Sequence, residues 1–253
     1  MTDEERDQNE HQSYLGNRGL IVLIAVLSAF VPLSTDFYLP ALPSMGDYFG
    51  VSASLTNLTL VLFFVFFSLG MLFWGPLSDK HGRRPVLLAG LSLYVMASAA
   101  CAITGDIYQL ILFRVLQAFG GSSASAVATA IVKDVYKGRR RESVLAIVQS
   151  MVVISPTFAP VIGASMLPFA SWRGLFWTLA LIGVVSLIGC LLLEETIQKR
   201  SPGSVAQSMR RLGTVLSNKG FTSLLLVFSL VSVASLAFIS SSSYIYQVGF
   251  GLT

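Results

Sequence analysis

Gly75-Pro76-Leu77-Ser78-Asp79-Lys80-His81-Gly82-Arg83-Arg84 stands between two long, almost purely apolar runs, and its reading decides the rest of the chain. Asp79, Lys80, Arg83 and Arg84 are too costly to leave in hydrocarbon, so both runs end here and the chain reverses direction. The stretch is expected to be a short cytoplasmic hinge between two membrane helices.

Composition agrees. Hydrophobic residues make up 54% of the 253 and charged residues only 12%, with a mean hydropathy of +0.72; a soluble domain carries about 25% charge. The net charge of +4 could suit nucleic acid, but the basic residues are confined to short loops between apolar spans, and nucleic-acid binding is rejected. Cys101 and Cys190 sit in separate apolar runs with no CxxC spacing, so neither a disulfide framework nor a zinc site is expected. The N-terminal tail is acidic (Asp3, Glu4, Glu5, Asp7, Glu10), and the first apolar run is too long for a signal-peptide core, so no cleavage is expected. No nucleophile elbow, Walker loop, HExxH or EF-hand pattern is present, which excludes an enzyme and leaves an ion gradient as the energy source, without cofactor or metal.

Apolar runs long enough to cross a bilayer as helix, about 20 residues, are placed at 20–43, 55–77, 86–104, 107–132, 143–167, 173–193 and 222–248. Connections 44–54, 105–106 and 168–172 carry no Lys or Arg, whereas 78–85 carries three and 133–142 and 194–221 carry five each. By the positive-inside rule the even-numbered connections and the N-terminus are cytoplasmic. The expected organisation is a cytoplasmic tail (1–19), a six-helix transmembrane bundle (20–193), a cytoplasmic linker (194–221) with a short amphipathic helix over 205–216, and a segment (222–253) holding the seventh span and the start of a truncated C-terminal bundle. The fold class is an all-α membrane protein in the lipid bilayer. Phe49-Gly50-Val51-Ser52 after the first span is echoed by Phe250-Gly251-Leu252-Thr253 after the seventh, as parallel repeats would give, so the missing C-terminal half is expected in the full protein.

Two ionisable residues stand inside spans. Asp36 lies in Leu33-Ser34-Thr35-Asp36-Phe37-Tyr38-Leu39-Pro40-Ala41-Leu42-Pro43; an acid there costs roughly 2.5 kcal/mol or more to insert and should have a function. It either exchanges protons at physiological pH or satisfies backbone groups loosened by Pro40 and Pro43. Arg114, in the fourth span, lies at matched depth, roughly 10 Å below the outer edge at 1.5 Å per residue. It is expected either to pair with Asp36 as a coupling element or to snorkel to the outer headgroups. Ala118, Ser122, Ala126 and Ala130 form a small-residue stripe that lets another helix approach. The loop Lys133–Arg141 is expected to anchor to anionic lipid, Trp74, Trp172 and Trp177 to mark the interfaces, and His11 and His81 to be solvated.

Gly75-x-Leu77-x-Asp79-x-x-Gly82-Arg83-Arg84 resembles the signature between the second and third helices of major facilitator superfamily transporters, where glycines allow a tight turn and an acid faces arginines. Ser34-Thr35-Asp36-x-Tyr38-Leu39-Pro40-Ala41-Leu42-Pro43 resembles the first-helix signature of the Bcr/CflA-type drug:proton antiporters. Arg114-x-x-Gln117-x-x-Gly120 is similar to the superfamily's fourth-helix motif, whose arginine is implicated in proton transfer, with Ala118 where glycine is usual. In the fifth span Ser155, Ala159 and Ala164 replace glycines of the antiporter motif while Pro160 and Gly163 remain, and that resemblance favours export over uptake.

The resemblance implies the N-terminal six-helix bundle of the major facilitator fold plus one helix of the C-terminal bundle. It also implies proton-coupled multidrug efflux by alternating access, conferring antibiotic resistance, across a bacterial inner membrane. Asp36 and Arg114 would couple protons. Tyr38, Gln117 and Phe63 would line a cavity for small drugs, neutral or cationic, such as bicyclomycin or chloramphenicol. Gly75, Asp79, Gly82, Arg83 and Arg84 would form a conformational switch, with Asp79 placed to pair with Arg83; alternatively Asp79 and the arginines only fix the topology. A metabolite or nutrient symporter of the same fold and a non-transporting half remain as alternatives; a channel-like pore is disfavoured because no ring of like charges is visible.

Overall fold

Where no water reaches the backbone, each N–H and C=O has to be paired within its own segment, and the chain forms helices throughout its apolar runs. The computed structural model describes residues 14–197, 210, 213–246 and 250. Their helices are α1 (Gly16–Ser28), α2 (Phe30–Asp36), a 3-10 turn (Leu39–Ala41), α3 (Leu42–Phe49), α4 (Ala53–His81), α5 (Arg83–Ile103), α6 (Ile107–Val135), α7 (Gly138–Leu191) and α8 (Lys219–Tyr244).

Among the described residues α4, α5, α6 and α7 are long and apolar enough to cross a membrane, and the first run makes a fifth if its two parts, bent by 43°, are taken together. The 54 residues of α7 amount to about 80 Å at 1.5 Å per residue, against about 30 Å of hydrocarbon. It breaks at Ser171 (φ 55°, ψ 174°), between the spans expected at 143–167 and 173–193, so by length it holds both. The first span departs from the single run 20–43. It is split into α1, α2, the turn and α3, and continues to Phe49, because Pro32, Pro40 and Pro43 lack the N–H that an uninterrupted helix needs.

Helix ends are set locally. Gly50, at φ 62°, closes α3, and Ser52 Oγ accepts the Leu55 N–H (3.4 Å) to open α4. The Asp106 carboxylate accepts from the amides of Tyr108 (3.0 Å) and Gln109 (3.2 Å) to open α6. The turn at the hinge is a single residue, Gly82 (φ 110°, ψ 156°).

Helix α6 is the axis of the bundle, packed closely on both α4 and α5. A Cβ on Gly120 would meet the backbone of Tyr94 and Gly90, one on Gly70 would meet the Ser122 hydroxyl, and one on Gly90 the Ser123 hydroxyl. The expected small-residue stripe is thus a packing seam, with Ser122 against α4. Trp74 and Trp172 correct the interfacial expectation. Both are buried; Trp74 Nε1 donates to the Phe119 carbonyl (2.7 Å), and Trp172 packs against Tyr48, Phe49 and Phe176, while Trp177 is exposed. Cys101 and Cys190 are buried free thiols. Of the linker helix expected over 205–216, residues 213–216 are helical, while 205–209 and 211–212 lie outside the described residues, as does the tail 1–13. Helix α8 occupies the expected seventh span as far as Tyr244, with Leu224, Val227, Phe228, Leu230 and Phe238 exposed.

Candidate functional site

The break after α2 sends neighbouring side chains to different sides, and this determines what the site can hold. Asp36, at the end of α2, is half-buried and lines a cavity of about 410 Å³ with Ser28, Pro32 and Thr35 of the same span. Helix α4 contributes Phe64, Phe67 and Met71, α6 contributes Ser125 and Thr129, and α7 contributes Gln149, Val152 and Pro156. Asp36 is the one ionisable residue in that lining; no Lys, Arg or His faces it among the described residues. Thr35 Oγ1 donates to Asp36 Oδ1 at 3.2 Å, and Ser125 Oγ is shielded from solvent with no hydrogen-bond partner among the described residues. An acid on apolar and aromatic walls, with neutral hydroxyl and amide groups opposite, can attract a cation and hydrogen-bond a neutral polar group. It has nothing to neutralise an anion.

Two residues further on, Tyr38 turns away from the cavity, to the far side where Arg114 is enclosed. Arg114 has no exposed surface, so it does not snorkel. Its Nη1 donates to the Ser34 carbonyl (3.0 Å) and to Gln117 Oε1 (2.7 Å), and its Cζ stands 4.5 Å from the Tyr38 ring centre and 4.3 Å from that of Phe63. Ring faces partly compensate a guanidinium taken out of water. Gln117 Nε2 passes the network to Ser98 Oγ (2.7 Å), whose hydroxyl donates to the Tyr94 carbonyl (2.7 Å); Tyr94 Oη is 2.7 Å from Ser34 Oγ, and Tyr38 Oη hydrogen-bonds Thr59 Oγ1. The first, third and fourth spans are thereby tied together through one buried polar chain.

Two expectations are corrected here. Arg114 forms no ion pair with Asp36 in this conformation: Nη1 alone serves Ser34 and Gln117, Nε and Nη2 have no hydrogen-bond partner among the described residues, and the Tyr38 and Phe63 rings enclose the group. Tyr38, Gln117 and Phe63, at 0%, 0% and 1% exposure, do not line the cavity but enclose Arg114.

At the charged end of the bundle Arg83 is buried and joins three helices. Its Nη1 donates to Asp79 Oδ1 (2.5 Å) and Ser78 Oγ (2.7 Å), and its Nε to Asp134 Oδ2 (2.8 Å). The expected Asp79–Arg83 pair is present. Gly75 lies inside α4 with open space about it, so the turn falls to Gly82 alone. Asp134 was read as part of a lipid-facing loop and is instead the second acid on Arg83.

In the fifth span Ala159 and Gly163 are buried one turn apart, Gly163 so close to the first span that a Cβ would collide with the Phe37 carbonyl. Pro160 and Ser155 are half-buried on the same helix, whose interior also holds Pro156. Among the polar cavity residues the sequence did not single out are Ser28, Ser125, Thr129 and Gln149. Their signal is polar side chains inside otherwise apolar spans, Ser125 and Thr129 four residues apart and so on one helical face.

Residues 24–253 match the family described as Major Facilitator Superfamily. The chain is 38% identical over 162 residues to a chloramphenicol resistance protein of Pseudomonas aeruginosa, covering 64% of this chain and 39% of that protein. It is 29% identical over 226 residues to the multidrug resistance protein MdtL of Escherichia coli, covering 89% and 57%. It is also 29% identical over 198 residues to citrate exporter 1 of Aspergillus niger, covering 77% and 38%. The chain thus spans about half the length, or less, of these curated relatives. Its fold is similar to that of the human organic anion transporter MFSD10, with a TM-score of 0.68 and 21% identity, covering 93% of this chain and 66% of the other.

Proposed function

As this chain belongs to the Major Facilitator Superfamily and is a multi-pass membrane protein, we propose that it forms the proton-coupling bundle of a drug exporter working by alternating access. One observation carries the reading: among the described residues the cavity between the spans is lined by a single ionisable residue, Asp36, on otherwise neutral walls. A cationic drug and a proton compete for such a carboxyl, which is the exchange an antiporter needs. A neutral drug can use Ser125, Thr129 and Gln149 instead. The likeness to a chloramphenicol resistance protein and to MdtL supports the same direction.

In this reading Asp36 carries the exchanged proton, and Arg114 holds the fourth span to the first at the Ser34 carbonyl, two residues before the carboxyl. Asp79, Gly82, Arg83 and Arg84, with Asp134, fasten the charged ends of the spans, and Ala159, Pro160, Gly163 and Ser155 shape the fifth span against the first. The positive-inside pattern supports a cytoplasmic position for that charged end and the N-terminus, and the proposed location is a bacterial inner membrane. Citrate-type export is the second reading, motivated by the Aspergillus niger relative; the absence of any base in the described cavity lining weighs against it.

The test is proton movement in inverted membrane vesicles holding a transporter that contains this bundle. Addition of a cationic drug to energised vesicles is expected to release lumenal protons, and Asp36→Asn to abolish the release. Proton movement driven by citrate and not by drug would overturn the proposal.

A further inference from the structure

Arg83 and Arg84 are adjacent, yet they serve different neighbours. Arg83 turns to Asp79 and Asp134, while Arg84 reaches the end of α7, where its Nη2 donates to the Leu191 carbonyl at 2.7 Å. That carbonyl belongs to the last turn of α7, whose acceptors have no partner within the helix. The reverse contact comes from Glu195, four residues beyond the helix end. Glu195 Oε1 accepts the N–H of Arg83 (2.8 Å) and Oε2 that of Arg84 (3.3 Å), two first-turn donors of α5 that the helix itself cannot satisfy. The same Oε1 accepts from the amides of Thr196 (3.1 Å) and Ile197 (3.2 Å), so one carboxylate, on an exposed residue, gathers four main-chain N–H groups from two separate stretches.

A further observation points the same way. A Cβ on Gly82 would push against Glu195 Oε2, the far end of that side chain, so the bonded position of the carboxylate goes with the glycine that a φ of 110° already favours. Leu193 and Thr196 on either side are buried, which keeps the chain leaving α7 against the bundle. A carboxylate also favours this position because the N-terminus of α5 carries the positive end of the helix dipole.

We propose that Glu195 and Arg84 form a reciprocal staple between the third and sixth spans, with Glu195 the positioning residue of the hinge. Glu195 takes donors from the start of α5; Arg84 gives a donor to the end of α7. The segment that leaves the sixth span and the turn at Gly82 are therefore one mechanical unit, and displacement of either displaces the other. This goes beyond the exporter reading and stands whichever substrate the cavity takes.

Amide exchange and a distance measurement on the full chain in lipid nanodiscs test it. Arg83 and Arg84 amides should exchange slowly in the unaltered chain and at least tenfold faster in Glu195→Ala, with the amides of Leu87–Leu91 in mid-helix unchanged. Spin labels at Ile197→Cys and Lys133→Cys, with Cys101 and Cys190 replaced by alanine, should give one narrow distance that broadens in Glu195→Ala. Where the alanine variant does not insert, Glu195→Asp, one methylene shorter, is expected to show both changes in smaller degree. Unchanged exchange at Arg83 and Arg84 overturns the staple, and faster exchange with an unchanged distance overturns the mechanical coupling.

Discussion

Arg114 donates from Nη1 to the main-chain carbonyl of Ser34 at 3.0 Å, so the buried guanidinium of the fourth span is held by the backbone of the first, two residues before Asp36. The same nitrogen reaches Gln117 Oε1 at 2.7 Å. Nε and Nη2 have no hydrogen-bond partner among the described residues, so an ion pair between Arg114 and Asp36 in another conformation requires the ring cage to open.

Arg114→Ala leaves the Ser34 carbonyl and Gln117 without their donor, which costs about 1–3 kcal/mol for a buried unsatisfied group, in addition to the lost ring contacts. Arg114→Lys keeps the charge but loses the flat guanidinium that lies against the Tyr38 and Phe63 rings. Thermal unfolding in nanodiscs should rank the unaltered chain above lysine and lysine above alanine. Equal midpoints for all three would mean that the cage adds nothing to the bundle.

Gly163 and Gly75 make a matched pair. A Cβ at Gly163 collides with the Phe37 carbonyl, whereas a Cβ at Gly75 meets open space. Gly163→Ala should destabilise by about 1–3 kcal/mol through overpacking, and Gly75→Ala should be neutral or stabilise by roughly 0.5–1 kcal/mol through the lower entropy cost of alanine in a helix. Gly75 is thus dispensable for the turn despite its place in the hinge motif. A loss of stability at Gly75 comparable to that at Gly163 would contradict the open space described around Gly75 in the second span.

The limits of the sequence reading have physical causes. Asp79 and Arg83 were legible as a pair because they lie four residues apart, where side chains at a helix end can meet. Asp134 was not, since its partner is far along the chain and its own loop is rich in Lys and Arg, the composition of a lipid anchor. Sequence placed Arg114 and Asp36 at one depth, but depth says nothing of rotation about the helix axis. The break between α2 and α3 decided the rotation, sending Asp36 to the cavity and Tyr38 to Arg114. Ser125 and Thr129 were hidden by the small-residue stripe beside them, which reads as packing throughout until the helices are assembled.

Asp36→Asn keeps the size of the side chain and removes its charge and its titration. In a transporter containing this bundle, the dependence of drug export on external pH should flatten, drug-driven proton release should vanish, and insertion should be unaffected. Counterflow of a neutral drug, which needs no net proton transfer, should persist. Transport assays at several pH values in proteoliposomes check all three, and retained drug-driven proton release would remove Asp36 from the coupling role.

The two acids on Arg83 differ in a way that ranks their variants. Asp134 is 23% exposed at its side chain and meets Arg83 through Nε at 2.8 Å, whereas Asp79 is 50% exposed. An exposed ion pair contributes about 0–1 kcal/mol, while a hydrogen bond to a charged group away from water contributes about 1.5–3 kcal/mol. Asp134→Asn should therefore lower the unfolding midpoint more than Asp79→Asn, although Asp79 is the acid of the hinge motif. Asp79→Ala should slow transport while leaving drug binding intact, because its exposed oxygen is free to meet other groups as the spans move. Since both acids share one guanidinium, the two substitutions should not add. A double variant whose loss equals the sum of the single losses would show that Asp79 and Asp134 act independently and that Arg83 does not join the second, third and fourth spans into one unit.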